Sequence, residues 1–297
     1  MTSYKNPLFM TEDAGFVHCN LCPNNCEIKS GEFGLCGVRG NKGGRAIIPF
    51  YGFITALAID PIEKKPLYHF KPGTKILSLG FAGCNLRCPF CQNWQISQNA
   101  DIFENQNSRG KYMKNTEIIS VALEHETPSI AYTYSEPLIH AEYIIDCMKL
   151  ARESKIANVL VTNGCIKKEA AREILKYTDA ANVDLKCFSA KTYTECLGYN
   201  NTKDYLETVK EFIKLCYEMN VHLEITTLVV PDLNNSKEEL NAAANFIRDI
   251  DKKIPWHLTA YHPDYRWNAP PTDRGFLLET AKEAGKKLEN VHTGNIN

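Results

Sequence analysis

The sequence lacks any uninterrupted apolar stretch near the roughly 18 residues that a spanning helix requires. Its opening, MTSYKNPLFMTEDAG, has no basic segment leading into an apolar one. These absences argue against a membrane span and a secretory leader, and the chain is expected in the cytoplasm. An excess of either charge is missing too: 34 Lys and Arg stand against 35 Asp and Glu, so no bulk field draws the chain to nucleic acid or to an anionic membrane. No internal repeat, low-complexity tract or phosphate-cradling glycine fingerprint occurs, and Gly40, Gly43 and Gly44 read as a tight turn. With 297 residues, 44% of them hydrophobic, the chain can build one large core with a small appendage.

Cysteine, by contrast, is abundant. A reducing compartment keeps thiols free and turns clustered cysteines from disulfides toward metals. Of the 12 cysteines, Cys19, Cys22, Cys26 and Cys36 form one group, and Cys84, Cys88 and Cys91 a second. Cys147, Cys165, Cys187, Cys196 and Cys216 are scattered through helical and strand-end patterns and read as small buried hydrophobes.

From about residue 75 short apolar or β-branched runs alternate with longer amphipathic ones. The runs KILSLGFAG (75–83), SIAYTY (129–134), ANVLVTNG (157–164), AANVDLK (180–186), VHLEITTLVV (221–230) and WHLTAYH (256–262) predict six strands. Stretches such as EPLIHAEYIIDCMKLARESK and DYLETVKEFIKLCYEM predict helices between them. Right-handed crossovers fold such a series into an α/β doubly wound sheet or a barrel, and the strand count favours a partial (β/α)6 TIM-like barrel over 75–297. Residues 1–74 read as a cysteine-rich, metal-binding amino-terminal extension, with two strands within AIIPFYGFITALAID. Chemistry on such a scaffold collects at the carboxyl ends of the strands. Those ends hold Cys84 and its neighbours, Glu136, Thr162, Asn163, Asp184, Lys186, Tyr261 and His262.

FAGCNLRCPFCQNW places three thiols at C-x3-C-x2-C on the loop after the first core strand. Three thiolates can hold three corners of a cubane cluster and leave one iron open. A closed zinc site would need a fourth ligand nearby, and neither His nor Cys follows within roughly thirty residues. The amino-terminal group, C-x2-C-x3-C-x9-C, supplies four thiolates and suits a closed site. Structural zinc is the first reading there, an auxiliary iron-sulfur cluster the second, and no metal the third. In NVDLKCF, Asp184 and Lys186 flank Leu185 at strand spacing and share a face, where opposite charges need each other or a ligand.

With Phe90 before Cys91, the second cysteine group resembles the C-x3-C-x-aromatic-C signature of the radical S-adenosylmethionine (SAM) superfamily. The resemblance implies a 4Fe-4S cluster whose open iron is chelated by SAM. It also implies an electron from a low-potential donor of the flavodoxin or ferredoxin type, and a 5′-deoxyadenosyl radical that abstracts hydrogen. It further implies SAM contacts from Phe90, from Ser135 and Glu136 in place of a Gly-Gly-Glu-like element, and from Thr162 and Asn163 at the ribose. Asp184 and Lys186 match the Asp-Leu-Lys of glycyl-radical activating enzymes, with the lysine near the SAM carboxylate, and His262 resembles a SAM-adjacent histidine. An ordinary structural role competes at each: a helix-starting carboxylate, an Asn-Gly turn, an ion pair, a strand-end histidine.

CNLCPNNC, LCGVRGN, DPIEKKPLYHF and GCNLRCPFCQNWQISQ, with TYSEP, VTNG, VDLK and TAYHPDY, look like the AmmeMemoRadiSam-type proteins. These are relatives of pyruvate formate-lyase activating enzymes, and the likeness implies companion proteins encoded nearby. It also implies a cysteine-containing tail beyond HTGNIN that this sequence does not carry. The function so implied is that of a radical SAM oxidoreductase. The alternatives are a glycyl-radical activase and a non-catalytic iron-sulfur electron carrier or binding module.

Overall fold

The computed structural model describes residues 7–98, 110–199 and 204–296. Ala56–Pro61 is the first strand of the main sheet, β1, and precedes the six predicted runs. Those form β2 (Lys75–Gly80), β3 (Ser129–Thr133), β4 (Ala157–Thr162), β5 (Ala180–Asp184), β6 (His222–Val229) and β7 (Trp256–Ala260), and Val291–Gly294 adds β8. The inner strands are apolar along most of their length because both faces of a parallel sheet are covered; every residue of β3 is buried. From β2 to β8 each strand pairs in parallel with the next, and β1 joins β2 antiparallel. Spatial order follows chain order without reversal. A doubly wound sheet would reverse at a switch point, so the winding is that of a barrel, open between β1 and β8.

The crossover helices are α1 (Asn115–Glu124), α2 (Ala141–Glu153), α3 (Lys168–Leu175), α4 (Tyr205–Glu218), α5 (Lys237–Asp251) and α6 (Arg274–Ala284). Asp204, Ser236 and Asp273 each cap a helix by accepting from the N–H three residues on. Each helix buries one stripe: α4 sets Leu206, Val209, Phe212, Ile213 and Cys216 into the core.

The boundary at 74/75 falls between two paired strands, because β1 comes from the segment assigned to the extension. The rest of the extension holds a small sheet of Met10–Asp13, Phe16–Cys19 and Glu27–Ile28, a hairpin that turns at Gly43 and Gly44, both with positive φ, and the strand Phe53–Ile54, which pairs with Lys111–Tyr112. After β1 the chain runs beneath the sheet with Lys64, Tyr68 and His69 exposed and its apolar side chains turned inward. Ile62 and Leu67 are fully buried with Ile76, Ala131, Val159 and Ala180. The Pro66 carbonyl accepts from Asn182 at 2.7 Å, and the Tyr68 and His69 amides donate to Glu224. Residues 62–70 therefore plug the lower half of the barrel and leave its carboxyl end open.

Candidate active site

At the carboxyl ends of the strands lies a cleft of about 440 Å³. The loop after β2 reaches it through Gly83, whose φ of +80° and close approach to the Cys36 carbonyl leave no room for a side chain. Cys84, Cys88 and Cys91 follow on the cleft wall as free thiols. Cys84 Sγ receives the Leu86 amide at 3.4 Å and Asn163 Nδ2 at 3.6 Å, and Cys91 Sγ lies 3.2 Å from Ser97 Oγ. Burial pushes the Cys84 thiol well up and the Cys88 thiol up to about 12. Metal binding needs thiolates, and the positive charge of Lys186 acts on Cys88 in that direction. Among the described residues no three His, Cys, Asp or Glu side chains converge on the position of a single ion. Three soft sulfur donors without a fourth protein ligand fit a cluster with one iron left open.

Tyr134, just past β3, takes a left-handed φ of 67° and is pinned at both ends. Its carbonyl accepts from Asn93 Nδ2 at 2.7 Å, and its hydroxyl donates to Asp60 at 2.8 Å. Ser135 donates to the Phe81 carbonyl at 2.7 Å. Glu136 is thereby set into the interior with 1% exposure. One carboxylate oxygen accepts from Thr162 Oγ1 at 2.7 Å and from the Leu138 amide at 3.0 Å; the other accepts from the Asn163 amide at 2.8 Å. Burial pushes its carboxyl up to about 7 in spite of those three donors. A carboxylate has about four acceptor positions, so one remains for a donor in the cleft.

Past β5, Lys186 Nζ lies 2.9 Å from Asp184 Oδ2, with both side chains on the cleft wall. Burial works against the ammonium, yet the charges of Asp184 and Cys88 outweigh it and hold the lysine above its ordinary value. Its backbone is fixed, the amide donating to Tyr193 Oη at 3.1 Å and the carbonyl accepting from Asn234 at 2.6 Å.

Of the residues singled out in the sequence, Phe90, Ser135, Glu136, Asn163, Asp184 and Lys186 line the cleft beside the three cysteines. Thr162 does not: its hydroxyl is buried, donating to Glu136 and accepting from the Gly164 amide. Its side chain supports the carboxylate. His262 is exposed, with Nε2 3.2 Å from the Asn295 carbonyl, and Asn295 rather than His262 reaches the cleft.

Sequence reasoning missed Lys64, Thr226, Leu228 and Thr259 on the wall, and the polar knot beneath it. There Asp60 accepts from Lys64 at 3.0 Å, Lys65 at 2.6 Å, Ser78 at 2.9 Å and Tyr134. Burial would raise the Asp60 carboxyl, but these donors hold it below the usual carboxylate range. The available signal was an acid followed by lysines four and five residues on, within DPIEKKPL.

The amino-terminal cysteines sit behind the loop that carries Cys84, Cys88 and Cys91. The Cys19 amide donates to the Cys26 carbonyl at 2.8 Å, which closes a tight loop around Cys22. That loop docks by three bonds: Asn24 Nδ2 to the Asn85 carbonyl at 3.1 Å, Tyr205 Oη to Asn24 Oδ1 at 2.6 Å, and the Lys167 amide to the Leu21 carbonyl at 3.0 Å.

A family model described as the radical SAM superfamily matches residues 79–247. The uncharacterized protein MJ0808 of Methanocaldococcus jannaschii is 38% identical over 287 residues, covering 96% of this chain and 83% of that protein. The pyruvate formate-lyase-activating enzyme of Clostridium pasteurianum is 26% identical over 185 residues, 61% of this chain and 73% of the enzyme. Among solved structures, Streptococcus suis SuiB bound to S-adenosylmethionine shares the fold with a TM-score of 0.53 at 17% identity, over 72% of this chain and 51% of SuiB.

Proposed function

This chain belongs to the radical SAM superfamily, and from that premise we propose that it is an enzyme that binds a 4Fe-4S cluster through Cys84, Cys88 and Cys91 and cleaves SAM by reduction. When bound, the cluster supplies an open iron and one electron, and SAM supplies the 5′-deoxyadenosyl radical that takes hydrogen from the substrate. The observation that supports this reading is the shared cleft: three free thiols, a buried carboxylate with one acceptor position left, and an ammonium held charged.

Glu136 is suited to accept from the SAM amino group, and Lys186 to pair with its carboxylate. Asn163 joins the two functions, since its amide orients Glu136 while its side chain donates to Cys84. The plug closes the cleft from below through Pro66 and Lys64, which keeps water from a reactive radical. The electron comes from a flavodoxin- or ferredoxin-type donor in the reducing cytoplasm, a setting that suits 12 free cysteines. A glycyl-radical activase is the second reading, favoured by the relative named as a pyruvate formate-lyase-activating enzyme.

Electron paramagnetic resonance of the anaerobically reconstituted, reduced chain tests the proposal. SAM should shift a reduced-cluster signal that Cys88→Ala abolishes. A signal indifferent to SAM in every preparation would refute the site.

A further inference from the structure

The four amino-terminal thiols lie close under the cluster loop, and a neighbouring side chain is incompletely satisfied by the fold. Arg39 is 1% exposed. Its terminal nitrogens donate to Glu142 and to the carbonyls of Ile139 and Leu8, but its buried Nε–H has no partner. A buried donor left without an acceptor is costly. Burial works against the guanidinium charge, while the negative charge of Glu142, Cys19 and Cys36 works for it, so Arg39 sits within electrostatic reach of two of the thiols. An anionic sulfur centre at these cysteines would give the orphan donor an acceptor.

Two observations favour a cluster over a lone zinc ion. Zinc draws its sulfurs to about 2.3 Å from one point, and among the described residues no three cysteines converge in that way. Cys84, Cys88 and Cys91 share that openness, and a cubane spreads its thiolates over separate irons. The second observation is position. A side chain on Gly83, the neighbour of Cys84, would stand 2.3 Å from the Cys36 carbonyl, so the two cysteine loops are in backbone contact. Two residues past Cys22, Asn24 donates to the carbonyl of Asn85, the residue after Cys84.

We propose that Cys19, Cys22, Cys26 and Cys36 hold a second, fully protein-ligated iron-sulfur cluster, with Arg39 Nε–H donating to it. This centre relays single electrons to the Cys84, Cys88 and Cys91 site across the Cys36–Gly83 and Asn24–Asn85 contacts. One electron enters from a low-potential one-electron donor of flavodoxin or ferredoxin type and one leaves to the first site, so the relay returns to its starting oxidation state and no bond or proton is exchanged. The metal assignment stands without the radical SAM reading; the relay rests on it.

The test is a count of metals and of spectroscopic signals on the intact chain reconstituted anaerobically with iron and sulfide. About eight irons per chain are expected, with two reduced-cluster signals, of which SAM shifts one. Replacing Cys84, Cys88 and Cys91 together by Ala should leave about four irons and the SAM-insensitive signal. Cys22→Ala with Cys36→Ala should lose that signal and keep the other. Should either variant fail to fold by circular dichroism, the two signals of the intact chain decide. One zinc with only about four irons, or no metal at the amino-terminal group, overturns the second cluster. Loss of the SAM-sensitive signal alone refutes the first site and leaves the second standing. For the relay, Asn24→Ala should keep both signals yet slow reduction of the SAM-sensitive centre by a flavodoxin-type donor several-fold in stopped flow; an unchanged rate overturns the relay.

Discussion

Lys186 shows how one side chain can be asked for its role. Its ammonium, 2.9 Å from Asp184, could be the end of a structural ion pair or half of a carboxylate site. A charge-assisted hydrogen bond contributes about 1.5–3 kcal/mol, or roughly ten- to a hundredfold in affinity. Lys186→Met is therefore expected to weaken SAM binding by that factor while the iron content is unchanged, as measured by equilibrium binding to the reconstituted chain. Normal binding with a lowered melting temperature would make Lys186 a structural partner only. At this scale the sequence exposed the residues whose type is costly to bury without a use: the clustered thiols, Glu136, Asp184 and Lys186. It was silent on the bonds from Ser78 and Tyr134 to Asp60, which come from other elements, and on the contacts of Thr162 with Glu136 and of His262 with the Asn295 carbonyl, which spacing does not encode.

Among the elements, periodicity revealed the inner strands because burial on both faces forces apolar runs. It missed β8, whose VHTG has no apolar run, and it placed β1, which lies within the AIIPFYGFITALAID stretch expected to hold two strands, in the extension rather than at the edge of the main sheet. It also could not show that 62–70 enters the barrel, since the partner holding that plug, Glu224, is more than 150 residues away. Glu224 is wholly buried and accepts from two backbone amides, His222 and His257. Burial would raise its carboxyl, but these four donors hold it below the usual value of 4.5. A depressed folded value means that its contribution is present above pH 4.5 and is lost as pH falls below it. Chemical denaturation should show Glu224→Gln less stable by about 2–4 kcal/mol at pH 7, and less sensitive to pH below that point. Equal slopes for the two proteins would remove Glu224 from the acid response.

Over the whole molecule, a buried ion pair adds to the contacts that tie the extension to the barrel. Arg39 Nη2 and Glu142 Oε1 are 2.8 Å apart, each side chain 1% exposed. Removing one partner of such a pair leaves an uncompensated buried charge, so Glu142→Gln should cost about 3–5 kcal/mol, read as a lowered melting temperature. A change within the error of measurement would show that this pair adds nothing to the join between extension and barrel.

The central claim, that this fold brings three thiols and a SAM pocket together for reductive cleavage, meets its most direct test in one product. The reconstituted chain, given SAM and a strong reductant without oxygen, should form 5′-deoxyadenosine, and Cys88→Ala should form none. A wild-type chain that holds its iron, binds SAM and yields no 5′-deoxyadenosine, or a Cys88→Ala chain that yields as much as wild type, would contradict the account.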